Sequence, residues 1–284
     1  MGNICRATKS SKVIDPPSAF DERYTLLDHI GEGGFGEVYT CLEVESGATF
    51  AAKLITNSRV TEWSKSDVER VPMEVKAMAS CDHPNIIKLL DYFIYQKHSI
   101  LVMEKPLDSA DLFNYTAYLG GVSETETRQI MKQILEAVWY LHYDARIVHR
   151  DIKPENILVD VRNKSCKLID FGAATWFHPN TYSEFSGTRL YAPPELLLTG
   201  KYKAEALTTW SLGATLYFTL FSRLPFPNEQ AIVDCTIRLP SSCSLSPDCL
   251  LFLQSCLHPN PARRPSADGL LKHPWLANIG FFLQ

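Results

Sequence analysis

Apolar positions follow two rhythms along this chain. From Tyr24 they come in short runs, at residues 24–30, 37–43, 49–55 and 99–103, which predict β-strands. Residues 71–78 interrupt with a helical spacing, in which Val71, Val75 and Met78 share one face. His83-Pro84-Asn85-Ile86-Ile87 then ends that helix and opens the next strand. Further on the pattern lengthens. Residues 124–142 place Ile130, Ile134, Leu135, Val138 and Leu141 on one stripe and predict a helix. Residues 210–221 are apolar nearly throughout and predict a central buried helix opened by Trp210-Ser211-Leu212-Gly213. Residues 1 to about 22 show Ser, Lys and Pro with little periodicity, the pattern of a mobile tail.

With 284 residues, 45% of them hydrophobic, the chain can bury a sizeable core and exceeds one average domain, so two lobes fit. A formal charge of -4 and no lysine-rich block give no support for nucleic-acid binding. The eight cysteines, at 5, 41, 81, 166, 235, 243, 249 and 256, lack Cys-x-x-Cys spacing. They read as reduced thiols of an intracellular protein, cytoplasmic or nuclear, not as a disulfide frame or zinc site. No run reaches the ~20 apolar residues that span a bilayer; residues 210–221 fall short and hold Ser211, Thr215 and Thr219. Residues 1–12 are polar, unlike a secretory signal. Met1-Gly2-Asn3-Ile4-Cys5 fits the start of an acylation signal, but Arg6 stands where that signal wants Ser or Thr. An ordinary tail is the reading, with membrane contact only if the N-terminus is acylated.

Chemistry concentrates at residues 149–158, His149-Arg150-Asp151-Ile152-Lys153-Pro154-Glu155-Asn156-Ile157-Leu158, followed by Asp170-Phe171-Gly172. Apolar runs flank the loop at 134–135 and 138–141, then at 157–159 and 167–169. A structural loop rarely needs so much charge beside a core, whereas phosphoryl transfer needs a carboxylate for the hydroxyl proton, a cation for the phosphate, and oxygens for magnesium. Upstream, Gly31, Gly33 and Gly36 let backbone N–H groups approach phosphates, a weak signal by itself. Ala51-Ala52-Lys53 ends a strand at the expected distance, and Glu74 is a candidate partner for Lys53.

Together these motifs resemble those of the eukaryotic protein kinases, and most closely the Pim family of serine/threonine kinases. Pro106 stands in the segment Glu104-Lys105-Pro106, where kinases hold adenine, and proline has no N–H to donate; ATP would keep only the Glu104 carbonyl. Such a proline marks the Pim family. Arg59-Val60-Thr61-Glu62-Trp63, Val71-Pro72-Met73-Glu74-Val75, Asp111-Leu112-Phe113 and Gly187-Thr188-Arg189-Leu190-Tyr191-Ala192-Pro193-Pro194-Glu195 agree with it. The likeness covers residues 23 to 277.

The resemblance implies an α+β, bilobal fold: a tail over 1–22, a β-rich lobe with one long helix over 23–105, and a hinge and helical lobe over 106–284. ATP and Mg2+ would lie between the lobes, and the protein would be a monomer. Ile30, Val38, Ala51, Met103, Leu158 and Ile169 would wall the adenine pocket. Lys53, held by Glu74, would contact the α- and β-phosphates. Asp151 would be the catalytic base, Lys153 would balance the transferred phosphoryl group, and Asn156 and Asp170 would ligate magnesium. Phe171 would pack under the long helix. Lys153 and Thr188 imply protein substrates with Ser or Thr acceptors, Thr188 contacting both base and lysine. Glu195 should pair with Arg264.

Departures from the family also carry expectations. Thr208 stands where most kinases have Asp, as Pim kinases also lack it. Asp111 and Glu155 match substrate-binding acids, while Asn114, Pro154 and Arg223 replace others, which weakens attraction to arginine-rich peptides. Ser186 replaces an acid before Gly187; either it is an ordinary hydroxyl, or a phosphate on Ser186 or Ser183 restores the charge. The rival function is a pseudokinase scaffold, disfavoured because Lys53, Asp151, Asn156 and Asp170 are all intact. A nucleotide-binding metabolic enzyme would need another fingerprint, and none is present.

Overall fold

The computed structural model describes residues 19–33, 36–64, 70–240 and 244–277. Most of the predicted tail, with the acylation motif, lies outside the described residues.

The short apolar runs form one antiparallel sheet of five strands: β1 (Tyr24–Gly33), β2 (Gly36–Glu43), β3 (Thr49–Thr56), β4 (Leu89–Ile94) and β5 (His98–Met103), in the order β1-β2-β3-β5-β4. One face buries Phe20, Tyr24, Cys41, Ala52, Ile100 and Val102 as a small core. Alternation sends Ala51, Ile55, Leu101 and Met103 to the opposite face, where they join the main core of the molecule.

The predicted helix at 71–78 is shorter and later than its spacing suggests. It is α1 (Met73–Ala79), entered from Pro72 in extended conformation. Proline favours an extended preceding residue, so Val71 is buried without being helical. Nor do Ile86 and Ile87 open a strand. Ile86 bridges Leu168, the Ile87 N–H donates to the Leu168 carbonyl at 3.0 Å, and β4 starts at Leu89.

The second lobe holds α2 (Leu112–Leu119), α3 (Glu124–Tyr143), α4 (Pro194–Thr199), α5 (Ala204–Phe221), α6 (Glu229–Asp234), α7 (Pro247–Cys256), α8 (Ala267–Leu271) and α9 (Pro274–Ala277). Ser123 caps α3, its hydroxyl accepting the Glu126 N–H at 3.3 Å, and Ile130, Ile134, Leu135, Val138 and Leu141 are buried as their spacing predicts. α5 is the central buried helix, but Trp210 lies mid-helix; the turn before it, Ala204 to Thr209, is buried as well, except at Glu205. Its small and hydroxyl residues hid it from a reading based on large apolar side chains.

Thr208 faces His142, with Oγ1 and Nε2 3.4 Å apart. Burial drives the His142 pKa down to about 4, and Arg146 adds to the effect. Unfolded, the ring titrates near 6.5, so its neutral form contributes stability that is whole above about pH 6.5. That contribution is lost as pH falls toward 4 and amounts to about 3 kcal/mol. Denaturant melts between pH 7 and 4 should show the decline, and His142→Gln should flatten it.

Glu195 at the start of α4 does pair with Arg264. The guanidinium is fully buried, and its two terminal nitrogens donate to the two carboxylate oxygens at 2.7 and 2.8 Å. Arg264 also donates to three carbonyls, those of Ala206, His258 and Pro259. Arg264→Ala strands a carboxylate and these carbonyls, and should cost about 3 kcal/mol in urea denaturation.

Candidate active site

The two lobes meet at a cleft of about 880 Å³. Ile30, Val38, Ala51, Met103, Leu158 and Ile169 line it, as do Gly31, Lys53, Glu74, Glu104, Asp151, Lys153, Asn156 and Asp170. Residues far apart in sequence are thus brought to one space.

Lys53 comes from β3, opposite Val38 on β2 and Leu101 on β5. Its ammonium is buried and donates to Glu74 Oε1 at 2.5 Å and Asp170 Oδ1 at 2.7 Å. Burial alone would depress the lysine, but the two carboxylates more than offset it and hold its pKa above the usual range. Asp170 is half-buried, and the desolvation would raise it, yet Lys53 and the Gly172 N–H keep its carboxyl below the usual range. This triad joins strand, α1 and the Asp170 turn in one charged cluster.

The glycine segment is the hairpin between β1 and β2, with Gly31 opposite Val38 and Gly33 opposite Gly36. Its tip, residues 34–35, lies outside the described residues. Gly31 lines the cleft with open space where a Cβ would sit. Gly36 has a packing reason as well: a Cβ there would lie 2.2 Å from the Leu54 carbonyl oxygen.

The loop 149–156 is built around His149. Its pKa is lowered by burial; Nδ1 lies 3.3 Å from the Asp151 N–H, and Nε2 lies 3.0 Å from the Ile169 carbonyl. A neutral ring that accepts at Nδ1 and donates at Nε2 satisfies both and ties the loop to the turn holding Asp170. Asp151 is buried to 6% exposure in a cradle of donors. Its Oδ1 accepts from the Thr188 N–H at 2.8 Å; its Oδ2 accepts from Asn156 Nδ2 at 2.9 Å and lies 3.2 Å from Lys153 Nζ. Lys153 also donates to the Thr188 hydroxyl at 2.8 Å, so Thr188 touches both base and lysine. Arg150 and Asp170 hold φ of 68° and 60°, a left-handed backbone costing about 1 kcal/mol or more each for non-glycine residues.

Asn156 Oδ1 and Asp170 Oδ2 accept no hydrogen bond from the described residues, while their companion atoms are engaged. Two free hard oxygens beside the cleft suit magnesium, with phosphate oxygens and water completing its shell.

Other predicted residues are placed differently. Asp111 caps α2, with both carboxylate oxygens taken by the Asn114 N–H and side-chain amide, each at 2.7 Å. Both residues line the cleft, but Asp111 is not a bare anchor for a substrate. Glu155 is exposed beside it. Phe171 is fully buried, 4.9 Å from the His149 ring, in the core that also contains Val75 and Met78 of α1. Pro106 lines the cleft next to Glu104, whose carbonyl takes no hydrogen bond from the described residues. The Glu104 carboxylate accepts from the Lys88 N–H at 2.8 Å and lies 2.8 Å from Lys167, clamping the hinge to the strand before Asp170. No motif announces that clamp, nor marks Ile87, Ala110 and Phe113 as lining residues.

Arg150 donates to the carbonyls of Ala173 at 2.5 Å and Glu184 at 3.3 Å. Glu184 also accepts from the Tyr202 hydroxyl at 2.8 Å. The segment that follows Asp170 is therefore held by uncharged acceptors.

Residues 24–276 match the protein kinase domain. The chain belongs to the protein kinase family. It is 40% identical over 268 residues to the serine/threonine-protein kinase pim-2 of Danio rerio, covering 90% of this chain and 86% of that one. It is 39% identical over 264 residues to serine/threonine-protein kinase prk-2 of Caenorhabditis elegans, covering 91% of this chain but 59% of that one. A PAS domain-containing serine/threonine-protein kinase of Mus musculus is 34% identical over 261 residues, with 90% and 19% covered. Within the family the chain belongs with the Pim-type serine/threonine kinases, ATP-dependent transferases on an α+β fold.

Proposed function

We propose that this protein transfers the γ-phosphate of ATP to Ser and Thr hydroxyls of other proteins as an active kinase, without needing a phosphate on its own activation segment. The observation that carries the reading is the convergence of Lys53, Asp151, Asn156 and Asp170 on one cleft. A pseudokinase would tolerate the loss of any of the four, and no observation favours that rival.

Asp151 would orient the acceptor hydroxyl and take its proton, its two oxygens being held by the Thr188 N–H and the Asn156 amide. Lys153, fixed to the Thr188 hydroxyl, would balance charge on the moving phosphoryl group. Lys53 would hold the α- and β-phosphates, kept cationic by Glu74 and Asp170. Asn156 Oδ1 and Asp170 Oδ2 would hold Mg2+, which when bound neutralises phosphate charge and fixes it for in-line transfer. The adenine would lie between Ile30, Val38, Ala51, Met103, Leu158 and Ile169, accepted by the Glu104 carbonyl alone.

Glu155 is the acid we assign to basic substrate residues; Asp111, already engaged, would add only field. We assign residues 23–105 and 106–284 to the two lobes, and propose a cytoplasmic or nuclear monomer that meets membranes only if acylated. A phosphate-transfer assay on a serine and threonine peptide array tests the proposal. Transfer with a preference for arginine upstream is expected; no transfer, with Mg-ATP present, would refute it. Ser186→Ala should match the wild-type rate, because Arg150 already has its acceptors.

A further inference from the structure

The Lys53–Glu74 pair requires α1 to stand where it does, and α1 is poorly secured at its start. It has seven residues and no side-chain cap. What fixes its entrance is the segment before it. The Met73 N–H donates to the Glu62 carbonyl at 2.9 Å, Trp63 bridges Pro72, and the Ser64 N–H donates to the Val71 carbonyl at 2.8 Å. Arg70 lies over the Trp63 ring at 5.0 Å. Through this short ladder Glu62 is tied to the first residue of α1, immediately before Glu74.

The Glu62 side chain reaches the other way. Its Oε2 accepts from the Thr175 hydroxyl at 2.9 Å, across 113 residues of sequence. Thr175 lies in β10 (Thr175–Trp176), which pairs with β7 (Ile147–Val148), Thr175 opposite Val148. His149 and Asp151 follow directly. One side-chain hydrogen bond therefore links the entrance of α1 to the strand beside the catalytic loop.

We infer that Glu62 and Thr175 form a latch that holds α1 in the position where Glu74 engages Lys53. Both are positioning residues: neither lines the cleft. Hydrogen bonds to a charged acceptor are among the stronger ones, and the pair is partly shielded. The inference rests on the kinase reading, because the latch matters for rate only if Lys53 serves ATP. A negative charge at position 175 would face the Glu62 carboxylate and open the latch, which a mere loss of packing would not reproduce.

The test compares Thr175→Val, Thr175→Ser, Thr175→Glu and Glu62→Ala with the full chain, using an arginine-rich serine peptide and Mg-ATP. Thr175→Val, which keeps the shape and loses the donor, should lower kcat/KM about tenfold. Thr175→Ser should restore it, Thr175→Glu should fall lower still, and Thr175→Val with Glu62→Ala should be no worse than either alone. Hydrogen exchange of the α1 amides should quicken about tenfold in Thr175→Val while that of α5 stays unchanged. Wild-type kinetics and wild-type α1 exchange in Thr175→Val would overturn the latch. Absence of transfer by the wild-type protein would instead sink the kinase reading, and the exchange experiment would still decide whether the latch holds α1.

Discussion

Asp151→Asn should lower kcat by about 10² to 10⁴ while leaving the KM for ATP nearly unchanged, the range expected when a positioned general base is lost. The substitution keeps size and shape, so the loop should stay folded. What changes is the donor count around one atom. Asp151 now accepts from the Thr188 N–H and from Asn156 Nδ2, with the Lys153 ammonium 3.2 Å from its Oδ2. An amide in its place must turn an N–H toward one of those donors, or toward the acceptor hydroxyl that the carboxylate should receive. Either way the proton has no place to go. Adenine contacts are remote from this exchange, so nucleotide affinity is the control. Steady-state assays with varied ATP and peptide separate the two; a variant with undiminished kcat would remove Asp151 from its role.

Much of this site is legible in the amino-acid sequence. Catalysis demands particular residue types at particular separations, so Lys53, Asp151, Asn156 and Asp170 announce themselves as a set. The sheet was readable for a similar local reason, since short apolar runs divided by turns leave few alternatives to strands. What escaped depends on partners distant in sequence. The two- to four-residue strands β7, β10, β6 (Ser109–Asp111), β8 (Ile157–Asp160) and β9 (Cys166–Leu168) have no periodicity to detect; they exist because another segment lies alongside. α1 starts later than the spacing predicts because Val71 satisfies the helical spacing while being buried by tertiary packing. Asp111 looked like a free acid because the sequence does not reveal that its own helix consumes both oxygens. Thr175 carries no signal, and Glu62 stands in a segment that resembles the Pim family without revealing which distant hydroxyl its side chain meets.

Asp170→Ala should be the most damaging single change to activity and among the milder ones to folding. It removes a free hard oxygen from the metal site, one of the two anions on Lys53, and the acceptor for the Gly172 N–H. Lys53 keeps Glu74 at 2.5 Å, so the buried ammonium is not left alone, and Phe171 remains packed beside His149. Leaving the cation with one partner limits the cost that a stranded buried charge would otherwise impose. Activity has no such reserve, since Asn156 Oδ1 by itself offers a single neutral ligand. Phosphate transfer should fall by about 10³ or more, given how far catalysis here rests on charge placement. Titration calorimetry should show ATP binding that no longer strengthens when Mg2+ is added, and circular dichroism a nearly unchanged melt. Glu74→Ala makes the informative contrast: it leaves both metal ligands in place and frees Lys53 to follow Asp170, so magnesium-dependent binding should survive while the rate falls. If the two variants behaved alike in the calorimeter, the division of labour between the carboxylates on Lys53 would be wrong.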